Sequence, residues 1–360
     1  MNNNRVVFRV DSSVDLGSGH VMRCLTLADV LVANGVIAIF ICSPLSGDMS
    51  DYIRQKGHKV LLLTQTNTQG EFLWENDARQ VSSLLASLEQ PICWLIIDQY
   101  QIDIKWEKIV RPYVGNILVI DDLANREHSC EILLDQNYYL NMQQRYCGLV
   151  PTQCCQLLGP TYALLRQEFL AGRKELCLRD GRVRRILVFF GGSDPTGETM
   201  KVLKTIRCWN RSDVAVNVIV GNSNRLKDEI YSMCLTMPNT SFDCQVDNMA
   251  EFMMLADLAI GAGGSATWER CCLGLPSIVI VVADNQAEVT DAVASTGAIV
   301  KLGSHSTVDE SQILATLIHL SDHPEVLRKI SQQAFSLMGD QLIGGAERIL
   351  REMEKIDVQT

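Results

Sequence analysis

The sequence contains no Cys-x-x-Cys pair, no apolar run long enough to cross a bilayer and no basic half. Its 13 cysteines are scattered, adjacent only at Cys154-Cys155 and Cys271-Cys272, which excludes a disulfide scaffold or zinc motif and points to reduced core thiols. Net charge is -10, and a division at residue 170 leaves -5 on either side, so neither half reads as a nucleic-acid-binding arm. The longest aliphatic stretch, around 278–283, is far too short for a membrane span, and the polar opening Met1-Asn2-Asn3-Asn4-Arg5 runs straight into a strand pattern. A cytoplasmic protein without membrane insertion is expected. With only 9 prolines and 24 glycines, and 47% hydrophobic against 21% charged residues, disorder and low complexity are excluded too.

What is present suffices for two cores of ordinary size, since 360 residues exceed what one compact domain usually holds. Short β-branched runs at 6–10, 36–42, 59–63, 92–98 and 117–121 alternate with helical patterns, which predicts a parallel sheet covered on both faces. The pattern restarts with runs at 186–190, 214–220, 258–261, 277–282 and 298–301. Between them, 173–185 carries six basic and two acidic residues around Gly181 and reads as the linker. The expected organisation is α/β: an N-terminal domain over 1–172, a second over 173–340, and a helix within 341–360 that follows Gly339 and Gly344-Gly345. Where that helix docks is not readable from its pattern.

In open parallel sheets ligands bind beyond the carboxyl ends of the strands, where helix N-termini offer free N–H groups and the positive end of the helix dipole. The first such loop runs from Asp11 through Gly17 and Gly19 to His20 and opens a helical run over 21–33. Glycines there let backbone approach a phosphate closely. The loop is neither a dinucleotide fingerprint, because Met22 stands at the third glycine position, nor a P-loop, because it lacks Lys-Ser/Thr. Two loops of the same kind follow in the second half: Gly191-Gly192-Ser193-Asp194-Pro195, where Ser193 or Asp194 can cap and Pro195 suits a first helical position, and Gly263-Gly264-Ser265-Ala266-Thr267. Glu269 falls one turn later, suited either to a ribose diol or to complementing the helix dipole. Asn285 and Gln286 follow the apolar run 278–282 and can reach a ligand or merely start a helix.

Gly17-Ser18-Gly19-His20-Val21-Met22-Arg23, Ile97-Asp98-Gln99-Tyr100, Ile120-Asp121-Asp122-Leu123-Ala124, Leu133-Leu134-Asp135-Gln136-Asn137, Gly159-Pro160-Thr161-Tyr162-Ala163-Leu164-Leu165-Arg166, the Gly-Gly-Ser-Asp loop, Glu269 and Asn285-Gln286 occur in this order. In this combination the chain resembles the UDP-sugar hydrolases of pseudaminic acid biosynthesis, which act on UDP-2,4-diacetamido-2,4,6-trideoxy-beta-L-altropyranose. Single motifs are shared with the wider GT-B glycosyltransferases, such as the lipid II N-acetylglucosaminyltransferase. The resemblance covers nearly the whole chain. It implies a GT-B fold of two Rossmann-like domains with parallel sheets facing an interdomain cleft, the nucleotide held mostly by the C-terminal domain and the sugar facing the first loop. It also implies C–O cleavage at the anomeric carbon with inversion, releasing UDP without a cofactor, a metal, a nucleic acid or a membrane as partner. One departure stands out: where the family often reads Asp-His-Tyr this chain has Asp98-Gln99-Tyr100.

The chemistry fits what the residues can do. A glycoside needs a carboxylic acid for its poor leaving group and a second carboxylate to activate water, whereas UDP leaves as a stable anion. One base plus N–H groups for the departing phosphate then suffice. His20 is the candidate base, because a helix N-terminus disfavours imidazolium; Asp11 or Asp15 is placed to orient it. Arg23 shares its helix face and either contacts substrate or pairs with an acid. Tyr100 is a candidate sugar contact, and Gly17, Gly19, Gly192, Ser193, the 263–267 loop, Glu269, Asn285 and Gln286 are the candidate substrate contacts. No Asp-x-Asp triplet occurs, so the usual metal-diphosphate motif of the other large glycosyltransferase fold is missing. His128 receives no role. A GT-B transferase, with His20 deprotonating an acceptor, and a UDP-sugar-binding module without turnover are the competing readings.

Overall fold

The computed structural model describes residues 5–14, 16–64, 72–176, 179–339 and 343–358. Asp15, one of the two carboxylates expected near His20, lies outside them, as do Met1–Asn4, Cys177 and Leu178.

Thirteen strands form two parallel sheets. The first holds β1 (Arg5–Val10), β2 (Ile37–Cys42), β3 (Lys59–Leu62), β4 (Ile92–Asp98), β5 (Val114–Ile120), β6 (Ile132–Asp135) and β7 (Cys155–Leu158) in the order 3-2-1-4-5-6-7. The second holds β8 (Arg185–Phe189), β9 (Ala215–Val220), β10 (Thr240–Cys244), β11 (Leu258–Ala262), β12 (Ser277–Val281) and β13 (Val300–Ser304) in the order 10-9-8-11-12-13. Ten strands match the expected runs within a few residues. The sequence patterns missed β6, β7 and β10; in β7 and β10 polar residues, Gln156 and Thr240, Ser241 and Asp243, leave no apolar run to read.

Each sheet reverses direction of growth beside its first strand, between β1 and β4 and between β8 and β11. Side chains alternate across the strands of the first sheet. Val6, Phe8 and Val10 of β1 and Trp94 and Ile96 of β4 pack on one face with the helix Gly19–Ala33. Val7, Leu95 and Ile97 point to the other, under the helices Trp74–Ala86 and Ile104–Val110. Burial on both faces is why these strands read as continuous apolar runs. In the second sheet Ile186, Val188, Val218, Ile260, Ile278 and Ile280 form the corresponding core with the helices Glu198–Trp209 and Glu310–Asp322.

Two compact units result. One comprises the described residues of 1–137, 141–164 and 343–360, the other those of 138–140 and 165–342. The helix Gly345–Asp357 therefore belongs with the first sheet: Ala346, Ile349, Leu350 and Met353 are buried in the core that holds Leu27 and Leu31, and Asp357 accepts from Trp94 Nε1 at 2.8 Å. Its entry is tight, because a Cβ at Gly345 would lie 2.3 Å from the Ala163 carbonyl oxygen.

Twelve cysteines fall within the described residues, and all are free thiols. Seven are buried as expected of core thiols, but Cys147, Cys208 and Cys244 are exposed. Among the described residues no helix is long and apolar enough to cross a membrane.

Candidate active site

The first unit gathers its chemistry at the carboxyl edge of β1, β4 and β5. Gly17 adopts φ +74°, a backbone conformation that favours glycine, and its N–H donates to Ser13 O at 2.9 Å, closing the loop into a tight turn. The helix begins at Gly19, two residues earlier than its apolar pattern suggested, so His20 lies in the first turn. There the ring meets Asp98, the last residue of β4, with Nδ1 and Oδ1 2.6 Å apart. An ionised carboxylate only accepts, so the proton in this contact belongs to Nδ1. The Tyr100 ring meets His20 edge to face, centroids 4.7 Å apart.

Arg23 follows His20 by one helical turn and grips the same carboxylate. Its Nε donates to Asp98 Oδ2 and its Nη2 to Oδ1, both at 2.6 Å, while Nη1 reaches Asp122 Oδ2 at 3.1 Å. Burial opposes the charge on Asp98, but Arg23 and His20 outweigh it and hold its carboxyl well below the usual range. Burial and the nearby Asp122, to which its hydroxyl donates, push the Tyr100 phenol up.

These contacts revise the expected roles. Arg23 pairs with acids, one of the two roles open to it. Tyr100 has its hydroxyl committed to Asp122. Asp11 does not orient His20: it is buried and accepts from Arg9 Nη1 at 2.6 Å and Ser43 N at 2.7 Å, while Arg9 Nη2 donates to Asp77 at 2.5 Å. Gln99 Nε2 points to that same Asp11, at 3.4 Å. His128 is fully buried with Nδ1 2.6 Å from Glu107, a structural strut. Asp98 and Asp122, quoted in the motifs without a role, are the residues sequence reasoning missed. The signal available was only that Asp98 closes the apolar run 92–98 at a strand's carboxyl end; which strand lies beside it was not.

In the second unit the loop after β8 packs against the loop after β9. Gly192 O accepts from Gly221 N at 3.1 Å and Ser223 Oγ at 3.4 Å. Asp194, rather than Ser193, caps: its two carboxylate oxygens accept from Glu198 N at 3.0 Å and Thr199 N at 2.9 Å. Pro195 is not at a first helical position, since the helix starts at Glu198.

The loop after β11 starts the helix Ala266–Cys272 with Ser265 at its cap and Thr267 buried. A Cβ on Gly263 would come 2.3 Å from Thr290 Oγ1, so close packing explains that glycine, whereas Gly264 faces only Gln286 Nε2 at 3.6 Å. Gln286 turns back to accept from Val282 N at 3.2 Å, and Asn285 is exposed beside it. Glu269 accepts from Arg166 Nη2 at 3.2 Å; burial raises its carboxyl and Arg166 opposes the rise. Arg166 is the partner that the sequence did not assign. Among the described residues no three His, Cys, Asp or Glu side chains converge as a metal site.

Residues 186–336 match the glycosyltransferase family 28 C-terminal domain. The chain is 26% identical, over 81% of its own length and 97% of the other's, to the UDP-2,4-diacetamido-2,4,6-trideoxy-beta-L-altropyranose hydrolase of Campylobacter jejuni. It is also 26% identical over 80% of its length to the uncharacterized protein MJ1062 of Methanocaldococcus jannaschii, of which the match spans 57%. Among solved structures, Acinetobacter baumannii MurG superposes with a TM-score of 0.67 over 98% of this chain and 99% of that one, at 12% identity. The fold is GT-B, with one Rossmann-like parallel sheet in each unit.

Proposed function

We propose that this chain is an enzyme acting on nucleotide sugars, a UDP-sugar hydrolase in which His20 activates water. The observation that carries the reading is the 2.6 Å contact between His20 Nδ1 and Asp98, at the point where strand order reverses in the first sheet. Nε2 takes a proton from water, the water oxygen bonds to the anomeric carbon from the face opposite UDP, and the carbon–oxygen bond to the β-phosphate breaks with its electron pair on phosphate. Configuration inverts. UDP needs no acid to leave, so a single base is enough.

The Gly192–Ser193 and 263–267 loops supply backbone N–H groups to the diphosphate, Glu269 takes the ribose diol, and Asn285 and Gln286 contact diphosphate or sugar, while Gly17 and Gly19 shape the turn that presents His20. The substrate proposed is UDP-2,4-diacetamido-2,4,6-trideoxy-beta-L-altropyranose, on the strength of the Campylobacter relative, whose similarity extends beyond the family 28 segment into the first unit. Transfer to an acceptor hydroxyl is the second reading, favoured by that same family 28 match.

Incubation with this UDP-sugar in oxygen-18 water, without acceptor, separates the two. Label on the anomeric oxygen with UDP release is expected. Label on phosphate discards C–O cleavage, and binding without UDP release favours the transferase. EDTA is expected to leave the rate unchanged; a sensitive rate would bring a metal into the mechanism.

A further inference from the structure

We infer that Arg23 is a positioning residue for the base: by sharing the Asp98 carboxylate it limits the His20 ring to one proton, held on Nδ1, and keeps Nε2 open. The importance of this for turnover rests on the hydrolase reading, but the arrangement itself does not.

In a simple histidine–carboxylate pair the negative charge next to the ring favours imidazolium, and a base that is already protonated accepts nothing. Here the carboxylate is divided. Its Oδ1 receives both His20 Nδ1 and Arg23 Nη2 at 2.6 Å, and its Oδ2 receives Arg23 Nε at 2.6 Å. Arg23 Nη2 and His20 Nδ1 are 3.1 Å apart. Arginine has only donors, and Nδ1 is already a donor to the carboxylate, so this approach is the proximity of a cation to the ring and opposes a second proton.

The other groups facing the ring reinforce the arrangement. Tyr100, beyond β4, walls the ring edge to face and gives its hydroxyl to Asp122, and Asp122, beyond β5, also fixes Arg23 Nη1. Asp11 is occupied by Arg9 and Ser43. Spacing supplies the rest: three residues apart on one helix, Arg23 and His20 share a face, so both reach Asp98.

Nitrogen-15 NMR of the histidine side chains in the full-length protein tests this without any substrate. His20 of the unaltered chain should show the Nδ1–H form; a proton on Nε2 would overturn the assignment with no variant needed. In Arg23→Gln the titration midpoint of His20 should rise by about one pH unit. The acidic limb of kcat/KM should move with it. Arg23→Lys keeps the charge and should stay within about a third of that shift. A midpoint that is unmoved or falls in Arg23→Gln, or that moves as far in Arg23→Lys, overturns the inference. The other five histidines report whether the fold is intact. Absence of UDP-sugar turnover would sink the hydrolase reading, while the same resonances would still decide the role of Arg23.

Discussion

His20, the proposed base, and the carboxylate beside it are 78 positions apart, and the pair exists only because β1 and β4 lie side by side with Val10 opposite Asp98. His20 was readable from Gly17 and Gly19 ahead of a helix; Asp98 was not, since strand order cannot be derived from apolar runs. Asp98→Asn should lower kcat by on the order of 10³ to 10⁴, the scale seen when the carboxylate behind a catalytic histidine is neutralised. It also strips Arg23 of its main counter-charge, so a stability loss of about 3–5 kcal/mol should accompany it, measured by urea unfolding. His20→Ala should abolish turnover while leaving UDP affinity largely intact. Glu269→Ala should do the reverse, weakening UDP roughly 10- to 100-fold by calorimetry, the scale of a hydrogen bond to a charged group. Unchanged affinity would leave Glu269 as the helix-dipole partner that the sequence equally allowed.

At the level of elements, strands down to the four residues of β3 were recovered where an apolar run marked them, and β10, with Thr240, Ser241 and Asp243 in it, was not. Helix Gly345–Asp357 showed its apolar face in the sequence because Ile349, Leu350 and Met353 recur at helical spacing. Its destination depended on a complementary surface, the outer side of Gly19–Ala33, which local pattern does not encode. The glycines show the same limit. Gly17 is required by backbone conformation and Gly263 by the approach of Thr290, and both look alike in sequence. Met353→Ala should cost about 2–5 kcal/mol, read from the shift in the urea midpoint. Because that helix backs the one that carries His20, turnover in this variant should decline in parallel with the folded fraction and not faster.

At the level of the whole molecule, pH enters through buried carboxyls of opposite tendency. Asp135, at the end of β6, is pushed up to about 7, chiefly by burial, with Asn137 N and Tyr146 Oη still donating to it. The folded state thus holds a proton there that the unfolded chain releases near pH 4, so this group's contribution is full below pH 4 and is lost as pH rises through 7. Asp98 acts the other way: its depressed carboxyl contributes above pH 4, and that contribution disappears on acidification. Asp135→Asn should therefore flatten the fall in stability between pH 4 and 7, a slope of up to about 1.4 kcal/mol per pH unit, in denaturation series across that range. A slope equal to that of the unaltered chain would show that Asp135 is ionised in the fold.

The placement of Gly345–Asp357 in the first unit makes the entire stretch 165–342 an insertion within it. During synthesis from the N-terminus, the second unit has all of its strands before the first has its last helix. Until residues 345–357 leave the ribosome, the side of Gly19–Ala33 turned away from the sheet lacks its cover. The order of completion is the reverse of the order of translation, and a released chain truncated after residue 342 should yield a protease-resistant second unit beside a first unit that is still cut.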